Sequence, residues 1–247
     1  MRRLPADTRI AVRLTHYCPE LGFIYHHNAK AASTTTTRLL HELLSRRRAV
    51  EGTGSLLSGP AHWREIIPVL NDPATYRFTF VRHPVARAVS TFNNFFVEQQ
   101  NAYTRRYRFA TRRAGIRLGD ASHGNFDRFL DLSEELLTEH PDICDLHIRT
   151  QVRNLFIDDL RYRRIGRMET FAADMAKILG DIGLAQWSEE SLFDVRENAS
   201  RSVARFRHPS QRQVDRLLRL YAEDFDLFGY EGDRYLARPR ELSTASS

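Results

Sequence analysis

The segment Tyr76-Arg77-Phe78-Thr79-Phe80-Val81 runs directly into Arg82-His83-Pro84. Six residues dominated by aromatic and β-branched side chains predict a buried strand. Pro84 predicts the first turn of a helix over Val85–Gln100, because proline is tolerated where a helix needs no N–H donor. A strand, a short polar turn and a helix in this order predict an α/β fold.

The same order of elements occurs elsewhere in the chain. Gly22–His26 is a short β-rich run, and a polar turn connects it to Thr34–Arg48, where leucines recur at helical spacing. Arg163–Arg167 predicts a third short strand, followed by a helix over Phe171–Leu179 that ends at Gly180. Alternating strands and helices predict a central, mostly parallel sheet flanked by helices, with ligands beyond the carboxyl ends of the strands.

The other predicted elements are a helix capped by Asn125 and reaching Glu139, a basic irregular insertion over 101–124, and a last helix that opens at Pro209-Ser210 and closes at Gly229. We expect the tail after about residue 236 to fray. Because neither a repeat nor a domain boundary is visible, the prediction is one domain over 1–247.

Composition excludes several classes of protein. A chain of 247 residues with 42% hydrophobic residues is large and apolar enough to bury a core. It has no run of about 18 apolar residues, and its first ten positions do not form a secretory signal. The only two cysteines, Cys18 and Cys144, lack zinc-ligand spacing. We therefore expect a cytoplasmic protein in a reducing compartment, with neither a transmembrane segment nor a metal.

The chain is basic, with a formal net charge of +6 and a pI near 9.6. This balance favours an anionic ligand or partner. Lys30 and Lys177 are the only lysines among 37 basic residues. Codon preference explains that bias, but a lysine retained in an arginine-rich chain can also mark a position that needs its compact, mobile ammonium group.

Lys30 lies in the loop His27–Thr35, between the first predicted strand and its helix. Small residues let the backbone approach a ligand, and the N–H groups of a helix start attract an anion. The hydroxyl donors are Ser33, Thr34 and Thr35. This composition predicts a phosphate-binding loop, although the Walker pattern GxxxxGK[ST] is absent. The equally weighted alternative is a Ser/Thr cluster that only caps the helix.

The second loop follows the strand that ends at Val81. Arg82 leaves the predicted strand at the same edge of the sheet, and Ser90 lies two helical turns further on, with Arg87 between them. A guanidinium and a hydroxyl can hold one phosphate together. Taken singly, Arg82 would usually be a surface ion pair and Ser90 a helix-surface residue. Two anion-binding loops after two strands favour the functional interpretation.

These residues resemble the PAPS-dependent sulfotransferases, specifically the carbohydrate sulfotransferases grouped as family 2 (PAPS is 3′-phosphoadenosine 5′-phosphosulfate). His27–Thr35 is similar to the family's 5′-phosphosulfate loop, H-x-P-K-x-A-x-T-S, and departs from it at Ala29, where proline is usual. The family's 3′-phosphate motif, R-x-P-x-x-R-x-x-S, is matched by Arg82, Pro84, Arg87 and Ser90. Gly166–Thr170 resembles the late G-R-x-E-x segment, and Leu220–Tyr230 resembles the C-terminal helix end.

The resemblance implies a P-loop-like sulfotransferase fold and transfer of a sulfuryl group from PAPS to a hydroxyl or amine of a carbohydrate or glycolipid. Lys30 would stabilise the charge that develops on the leaving 5′-phosphate. The predicted PAPS-binding residues are Lys30, Ala31, Ala32, Ser33, Thr34, Thr35, Arg82, Ser90, Arg201 and Arg205. The reaction requires no metal, and a bacterial cytosolic enzyme is expected. The acceptor's identity and the oligomeric state stay open.

A hydroxyl acceptor calls for a general base, most often histidine. In similar enzymes the base lies between the two PAPS loops, where this chain has His41 and His62. The turn at Gly59-Pro60 places His62 in a loop that can enter the crevice, so His62 is the predicted base, whereas His41 is expected to face outward from its helix. His147 is the alternative. With Gln151 it is predicted to lie near the acceptor, because the family often carries a His and a Gln in this region.

Two rival functions were weighed against sulfuryl transfer. A nucleic-acid or polyanion-binding module explains the pI, and Tyr103–Phe109 interleaves basic and aromatic residues, but such a module needs no pair of ordered anion loops. An atypical nucleotide kinase would favour an acidic residue after a strand to hold magnesium, and none is found. The sequence also contains runs of arginine, and these are interpreted as a solvated surface rather than an acceptor groove: Arg46-Arg47-Arg48, Arg105-Arg106 with Arg112-Arg113, and Arg161 with Arg163-Arg164. No nucleic-acid partner is therefore expected.

Overall fold

The structure is a computed structural model and describes residues 4–99, 108–188 and 205–232. These residues form two compact units, which are described separately. The first unit draws on Met1–His83 and Cys144–Arg201, and the second on Pro84–Ile143 and Ser202–Ser247. The single domain over 1–247 stays a prediction.

A five-stranded sheet organises the first unit. Its strands are β1 (Thr15–Cys18), β2 (Phe23–His26), β3 (Leu57–Ser58), β4 (Tyr76–Val81) and β5 (Arg164–Arg167). They lie in the order β3-β1-β2-β4-β5. β4 is parallel to both β2 and β5, and β1 is antiparallel to β2 and β3. The carboxyl ends of β2, β3, β4 and β5 therefore lie at the same edge, called the carboxyl edge below.

Ten helices occur in the described residues. In chain order they are α1 (Ala6–Arg13), α2 (Ser33–Glu51), α3 (Trp63–Val69), α4 (Pro84–Phe92), α5 (Arg108–Arg113), α6 (His123–Thr138), α7 (Gln151–Asn154), α8 (Phe171–Asp181), α9 (Gln211–Leu220) and α10 (Ala222–Phe228). The 3-10 turns are Gly59–His62, Met168–Thr170 and Ala185–Trp187, and a π-helical turn spans Asn93–Val97. No helix in these stretches is both long and apolar enough to span a bilayer.

The core of the first unit covers both faces of the sheet. Because side chains alternate along a strand, Phe23 and Tyr25 of β2 pack on one face with leucines of α2 and with Met175 of α8. Ile24 packs on the other face with apolar residues of α1 and α3, including Ile66. Burying one such side chain stabilises the fold by about 1.5–3 kcal/mol. This double cover explains why the last five residues of β4 are all buried.

Gly166 lets β5 lie close to β4. A Cβ atom at this position would stand 2.5 Å from Cε1 of Phe80. The Phe80 ring also packs against Phe171 of α8, with ring centroids 4.8 Å apart. The ring has little space to retreat, so glycine is required here by packing.

The second unit is built around an aromatic cluster. Four rings from α4, the π-helical turn and α6 pack on one another; they belong to Phe92, Phe96, Phe126 and Phe129. Two of them, Phe92 and Phe126, also contact the ring of Phe206. Asn93 holds the backbone of Phe206 at two points, since its Nδ2 donates to Phe206 O and its Oδ1 accepts from Phe206 N. This pair fixes the segment that precedes α9.

The prediction of an α/β fold with a sheet flanked by helices is confirmed, and the sheet is mixed because β1 runs antiparallel. The three predicted strands correspond to β2, β4 and β5, and the predicted helices after them to α2, α4 and α8. The short strands β1 and β3, and helices α1 and α3, were not predicted.

Four boundaries differ from prediction. Ser122, and not Asn125, caps α6, because its hydroxyl accepts from Asn125 N. The helix predicted over Val85–Gln100 ends at Phe92 and gives way to the π-helical turn. The last helix breaks at Tyr221 into α9 and α10. Part of the insertion predicted as irregular is helical in α5, whereas 101–107 and the tail from 233 lie outside the described residues.

Candidate functional site

The strands that follow β2 and β4 in the chain lie on opposite sides of this pair. After β2 the chain passes through α2 to β3 on one side, and after β4 the next strand is β5 on the other side. Two adjacent parallel strands whose connections diverge leave a crevice at their carboxyl ends, where α/β proteins bind ligands. The loop after β2 and the loop after β4 both open on this carboxyl edge.

The loop after β2 has an unusual backbone. Lys30 and Ala32 adopt left-handed conformations, with φ of 65° and 58°. A left-handed residue within such a turn directs successive backbone N–H groups toward one point, which suits an anion. Non-glycine residues at positive φ cost on the order of 1–3 kcal/mol each, and such strain concentrates at functional sites. The backbone therefore supports the predicted phosphate-binding loop.

The hydroxyls that follow this loop do not cap α2. The N-cap residue is Ala32, which has no side chain able to accept a hydrogen bond. In the described part of the chain, Ser33, Thr34 and Thr35 form no side-chain hydrogen bond. The first N–H groups of α2 also lack intrahelical acceptors. This end of the helix therefore has the donors and the partial positive charge that stabilise an anion.

Arg82 connects the two loops. Its Nη1 donates to the backbone oxygen of Lys30 over 3.4 Å. Both side chains are half-buried. The two residues that were predicted to bind opposite ends of one nucleotide therefore lie at the same crevice.

Buried amides lie behind this contact. Asn28 Nδ2 donates to Phe80 O over 3.0 Å and to Gln151 Oε1 over 2.9 Å. Gln151 also bonds both backbone polar atoms of Arg82. Asn28 and Gln151 are each 0% exposed. Gln151 was predicted to lie near the acceptor, and this buried placement does not favour direct contact with one.

A carboxylate supports the next residue of the same loop. His83 N donates to Glu169 Oε1 over 2.8 Å, from the 3-10 turn that follows β5. Glu169 belongs to the late G-R-x-E-x segment, for which no individual role was predicted. It lies two residues after the end of β5 at the carboxyl edge, so the expectation that no acidic residue follows a strand is wrong. In the structure its Oε1 is engaged by His83 N.

Three histidines lie next to the start of the first loop: His26 is buried, and His16 and His27 are half-buried. The ring of His16 on β1 stacks between Tyr25 and His27, with centroids 5.7 and 6.5 Å away. Burial, and then repulsion from His41, lowers the pKa of His16 to about 4. Burial, and then His16 and His147, lowers the pKa of His27 to about 4. Burial lowers the pKa of His26 to about 3. These rings are therefore neutral at pH 7, and the expectation that His26 and His27 shape the loop stays a prediction.

His147 is oriented by a buried carboxylate. Its Nδ1 lies 2.7 Å from Oδ1 of Asp145, which also accepts from His147 N over 2.9 Å. The side chain of Asp145 is only 3% exposed. Because a carboxylate only accepts, Nδ1 must carry the hydrogen, and Nε2 is then the basic nitrogen of the neutral ring. No role was predicted for Asp145, two residues before His147 in the chain.

His62 lies at the end of the 3-10 turn that follows β3. This turn starts at the carboxyl edge, as the prediction required, and His62 is half-buried. In the described residues it has no hydrogen-bond partner or carboxylate that would orient its ring. His41 is exposed on α2, as expected.

The second unit contains the other predicted nucleotide contacts. Ser90 on α4 is half-exposed, and Arg87 of the same motif is 1% exposed. Arg205 forms an ion pair with Glu98, whose side chain is 5% exposed. Arg201 lies outside the described residues. The roles predicted for these residues stay predictions.

The arginine runs have local acidic partners. Arg46 pairs with Glu42, and Arg47 pairs with Glu51, one helical turn away in each case. The second lysine, Lys177, pairs with Asp174 on α8. Arg113 and Arg164 pair with Glu135 and Asp181. The described parts of these runs fit the interpretation of a solvated surface, and Arg105-Arg106 lies outside the described residues.

Comparisons with known proteins show the family to which the chain belongs. Residues 14–231 match the model of a family described as the sulfotransferase family. Carbohydrate sulfotransferase 10 of Xenopus laevis is 28% identical over 184 residues, which cover 65% of this chain and 49% of that protein. The match thus spans about half the length of this curated relative. No solved structure matches the chain. Because the family model covers most of the sequence, the chain belongs to the sulfotransferase family and is similar to its carbohydrate sulfotransferases.

Proposed function

We propose that this protein transfers a sulfuryl group from PAPS to a hydroxyl or amine of a carbohydrate or glycolipid acceptor. The observation that carries the proposal is the contact between Arg82 Nη1 and Lys30 O, which brings the two motif loops together at the carboxyl edge. Membership of the sulfotransferase family supports the reaction class, and the similarity to a carbohydrate sulfotransferase supports the acceptor class. The cytoplasmic location stays a prediction.

The first loop is proposed to hold the 5′-phosphosulfate. The acceptor oxygen attacks sulfur, the bond from sulfur to the bridging oxygen breaks, and 3′,5′-ADP (PAP) departs with the electron pair. Negative charge thus develops on the 5′-phosphate. The ammonium of Lys30 and the N–H groups at the start of α2 would stabilise that charge more strongly in the transition state than in the bound donor. The hydroxyls of Ser33, Thr34 and Thr35 would hold the phosphate.

Arg82 is proposed to bind the 3′-phosphate. Its planar guanidinium presents parallel N–H donors that match phosphate oxygens. The 3′-phosphate distinguishes PAPS from ATP, so this contact would give the site its selectivity for the donor. The arginine runs with local acidic partners do not add support for the rival polyanion-binding module.

Two histidines compete for the role of general base. His62 is the predicted base and follows β3 at the carboxyl edge. His147 has the better supported geometry, because Asp145 holds its Nδ1 and directs the basic Nε2 away from the carboxylate. In either case the neutral ring would take the proton of the acceptor hydroxyl as sulfur is attacked.

The direct test is a transfer assay with PAPS labelled in the sulfuryl group and a mixed panel of glycans and glycolipids. The proposal predicts label in an acceptor fraction and one PAP released per label transferred. Transfer of phosphate from ATP to the panel, with PAPS untouched, would contradict it and favour the nucleotide kinase.

A further inference from the structure

The backbone of Arg82 is held as if β4 continued by one residue. Arg82 N donates to Gln151 Oε1 over 2.9 Å, and Gln151 Nε2 donates to Arg82 O over 2.8 Å. This two-bond exchange is the pattern that a residue of an adjacent strand would make. The Gln151 side chain thus restrains the backbone of Arg82, a loop residue, as hydrogen bonds from neighbouring strands restrain the backbone of β4.

Gln151 is itself fixed by the first loop. Its Oε1 accepts a second hydrogen bond from Asn28 Nδ2, which also donates to Phe80 O. The donor bonds orient the Asn28 amide even though its buried Oδ1 finds no partner among the described residues. A buried acceptor without a partner destabilises a fold. The two donor bonds are therefore the favourable polar contacts that the structure shows for the Asn28 side chain.

Glu169 restrains the peptide that follows Arg82. Its Oε1 accepts from His83 N. Three successive polar atoms of the backbone, Arg82 N, Arg82 O and His83 N, are therefore hydrogen-bonded to side chains from outside the loop. The partners come from the first turn of α7 and the turn after β5. Because the backbone of Arg82 is fixed, the position from which its side chain extends to Lys30 O is fixed as well.

We infer that Gln151, assisted by Glu169, is a positioning residue for recognition of the donor's 3′-phosphate. It acts through the backbone of Arg82 and touches neither nucleotide nor acceptor. This inference rests on the proposed function, because it assigns the 3′-phosphate to Arg82. It also replaces the predicted contact between Gln151 and the acceptor.

A merely structural role for Gln151 predicts a different outcome. If the amide only filled the core, its removal would lower stability or reduce the affinity for all nucleotides alike. If it positions Arg82, its removal reduces the affinity only for ligands that carry a 3′-phosphate. The affinities for PAP and 5′-AMP separate the two cases, since these nucleotides differ only in that group.

The experiment is calorimetric titration of PAP and 5′-AMP into the wild type and the variants Gln151→Met, Arg82→Ala and the double variant. Methionine keeps the length of the side chain and removes its hydrogen bonds. We expect Gln151→Met to reduce the affinity for PAP about tenfold or more, because the proposed contact between Arg82 and the 3′-phosphate consists of charge-assisted hydrogen bonds. The affinity for 5′-AMP should change less than twofold. The double variant should bind PAP as Arg82→Ala does, because both changes remove the same interaction.

A pair of substitutions at exposed Glu169 keeps the test decisive if Gln151→Met does not fold. Glu169→Gln retains an oxygen acceptor for His83 N and should keep most of the preference for PAP, whereas Glu169→Ala should lose part of it. An unchanged preference in a folded Gln151→Met, or in Glu169→Ala, would overturn the inference while leaving the proposed function intact. A wild type that binds PAP no better than 5′-AMP would overturn both.

Discussion

Nη1 of Arg82 lies 3.4 Å from the backbone oxygen of Lys30, although the two residues are 52 positions apart in the chain. The contact joins the ends of two adjacent parallel strands, β2 and β4. It places a guanidinium beside the residue that carries the loop's ammonium. Both side chains are half-buried, and the positive charges that they bring to this edge of the sheet would favour an anionic ligand.

Arg82→Ala tests the recognition of the 3′-phosphate. Losing the paired N–H donors of the guanidinium should reduce the affinity for PAP and PAPS roughly 10- to 100-fold. The affinity for 5′-AMP should be nearly unchanged, because 5′-AMP lacks the phosphate that these donors would bind. Calorimetric titration measures all three affinities. Arg38→Ala is the matched control, since Arg38 is exposed on α2. Equal losses for all three nucleotides would show that Arg82 does not read the 3′-phosphate.

Lys30→Ala separates catalysis from binding. If the ammonium follows the charge on the leaving oxygen, the variant should lower the rate of sulfuryl transfer by roughly 10² to 10³ and weaken PAPS much less. Lys30→Arg should restore little, because a planar guanidinium does not replace a compact ammonium. Single-turnover kinetics at saturating PAPS decide the matter, with Lys177→Ala as the control. An unchanged rate with weaker binding would make Lys30 a binding residue only.

The two candidate bases are distinguished by the acid side of the pH profile. The true base must be neutral, so activity should fall as acid protonates it, and its replacement by alanine should cost roughly 10² to 10⁴ in rate. We expect this of His147→Ala, and Asp145→Asn should lower the rate through a misoriented ring while PAPS binding is retained.

His62→Ala is the paired comparison for this prediction. A loss of rate and of the acid limb in His62→Ala, with both kept in His147→Ala, would assign the base to His62 as predicted from its position. If both variants retained full activity, neither His62 nor His147 would be the general base.

Acid should destabilise the first unit through His16 and His27. The pKa values of His16 and His27 lie near 4 in the fold, below the usual 6.5, so the unfolded chain binds more protons between these pH values. Stability is then full above about pH 6.5 and falls as pH drops toward 4, by about 1.4 kcal/mol per pH unit for each group. Urea unfolding at a series of pH values measures this slope.

His16→Phe should reduce that slope. Phenylalanine keeps the stacking on Tyr25 and removes Nδ1, which is buried without a partner among the described residues. His208→Gln is the control, because His208 is exposed. A slope in His16→Phe equal to that of the wild type would show that His16 does not contribute to acid unfolding.

The elements that could be predicted from sequence are those that carry their own apolar pattern. β4 is a run of buried residues, and α2 repeats leucines along one face, so both are visible locally. β1 and β3 are only four and two residues long, so their sequences are too short to show a periodic pattern. The N-cap of α6 is Ser122 and not Asn125, because the Asn125 side chain is hydrogen-bonded to the backbone of Arg117 instead.

The candidate site shows the same division. The loop around Lys30 could be recognised because small residues, a lysine and hydroxyls are consecutive in the chain. The support of Arg82 could not, since Gln151 lies 69 residues from Arg82 and 123 from Asn28. Only the fold brings these amides together. Local pattern therefore identified the groups proposed to contact the ligand and missed the role of those that hold them.

The account is tested most directly by titrating PAP, ATP and duplex DNA into the wild-type protein at physiological salt. It predicts one PAP bound per chain, displacement of PAP by PAPS, and no comparable binding of ATP or DNA. Salt-sensitive binding of DNA with no measurable affinity for PAP would contradict the account and identify a polyanion-binding module instead.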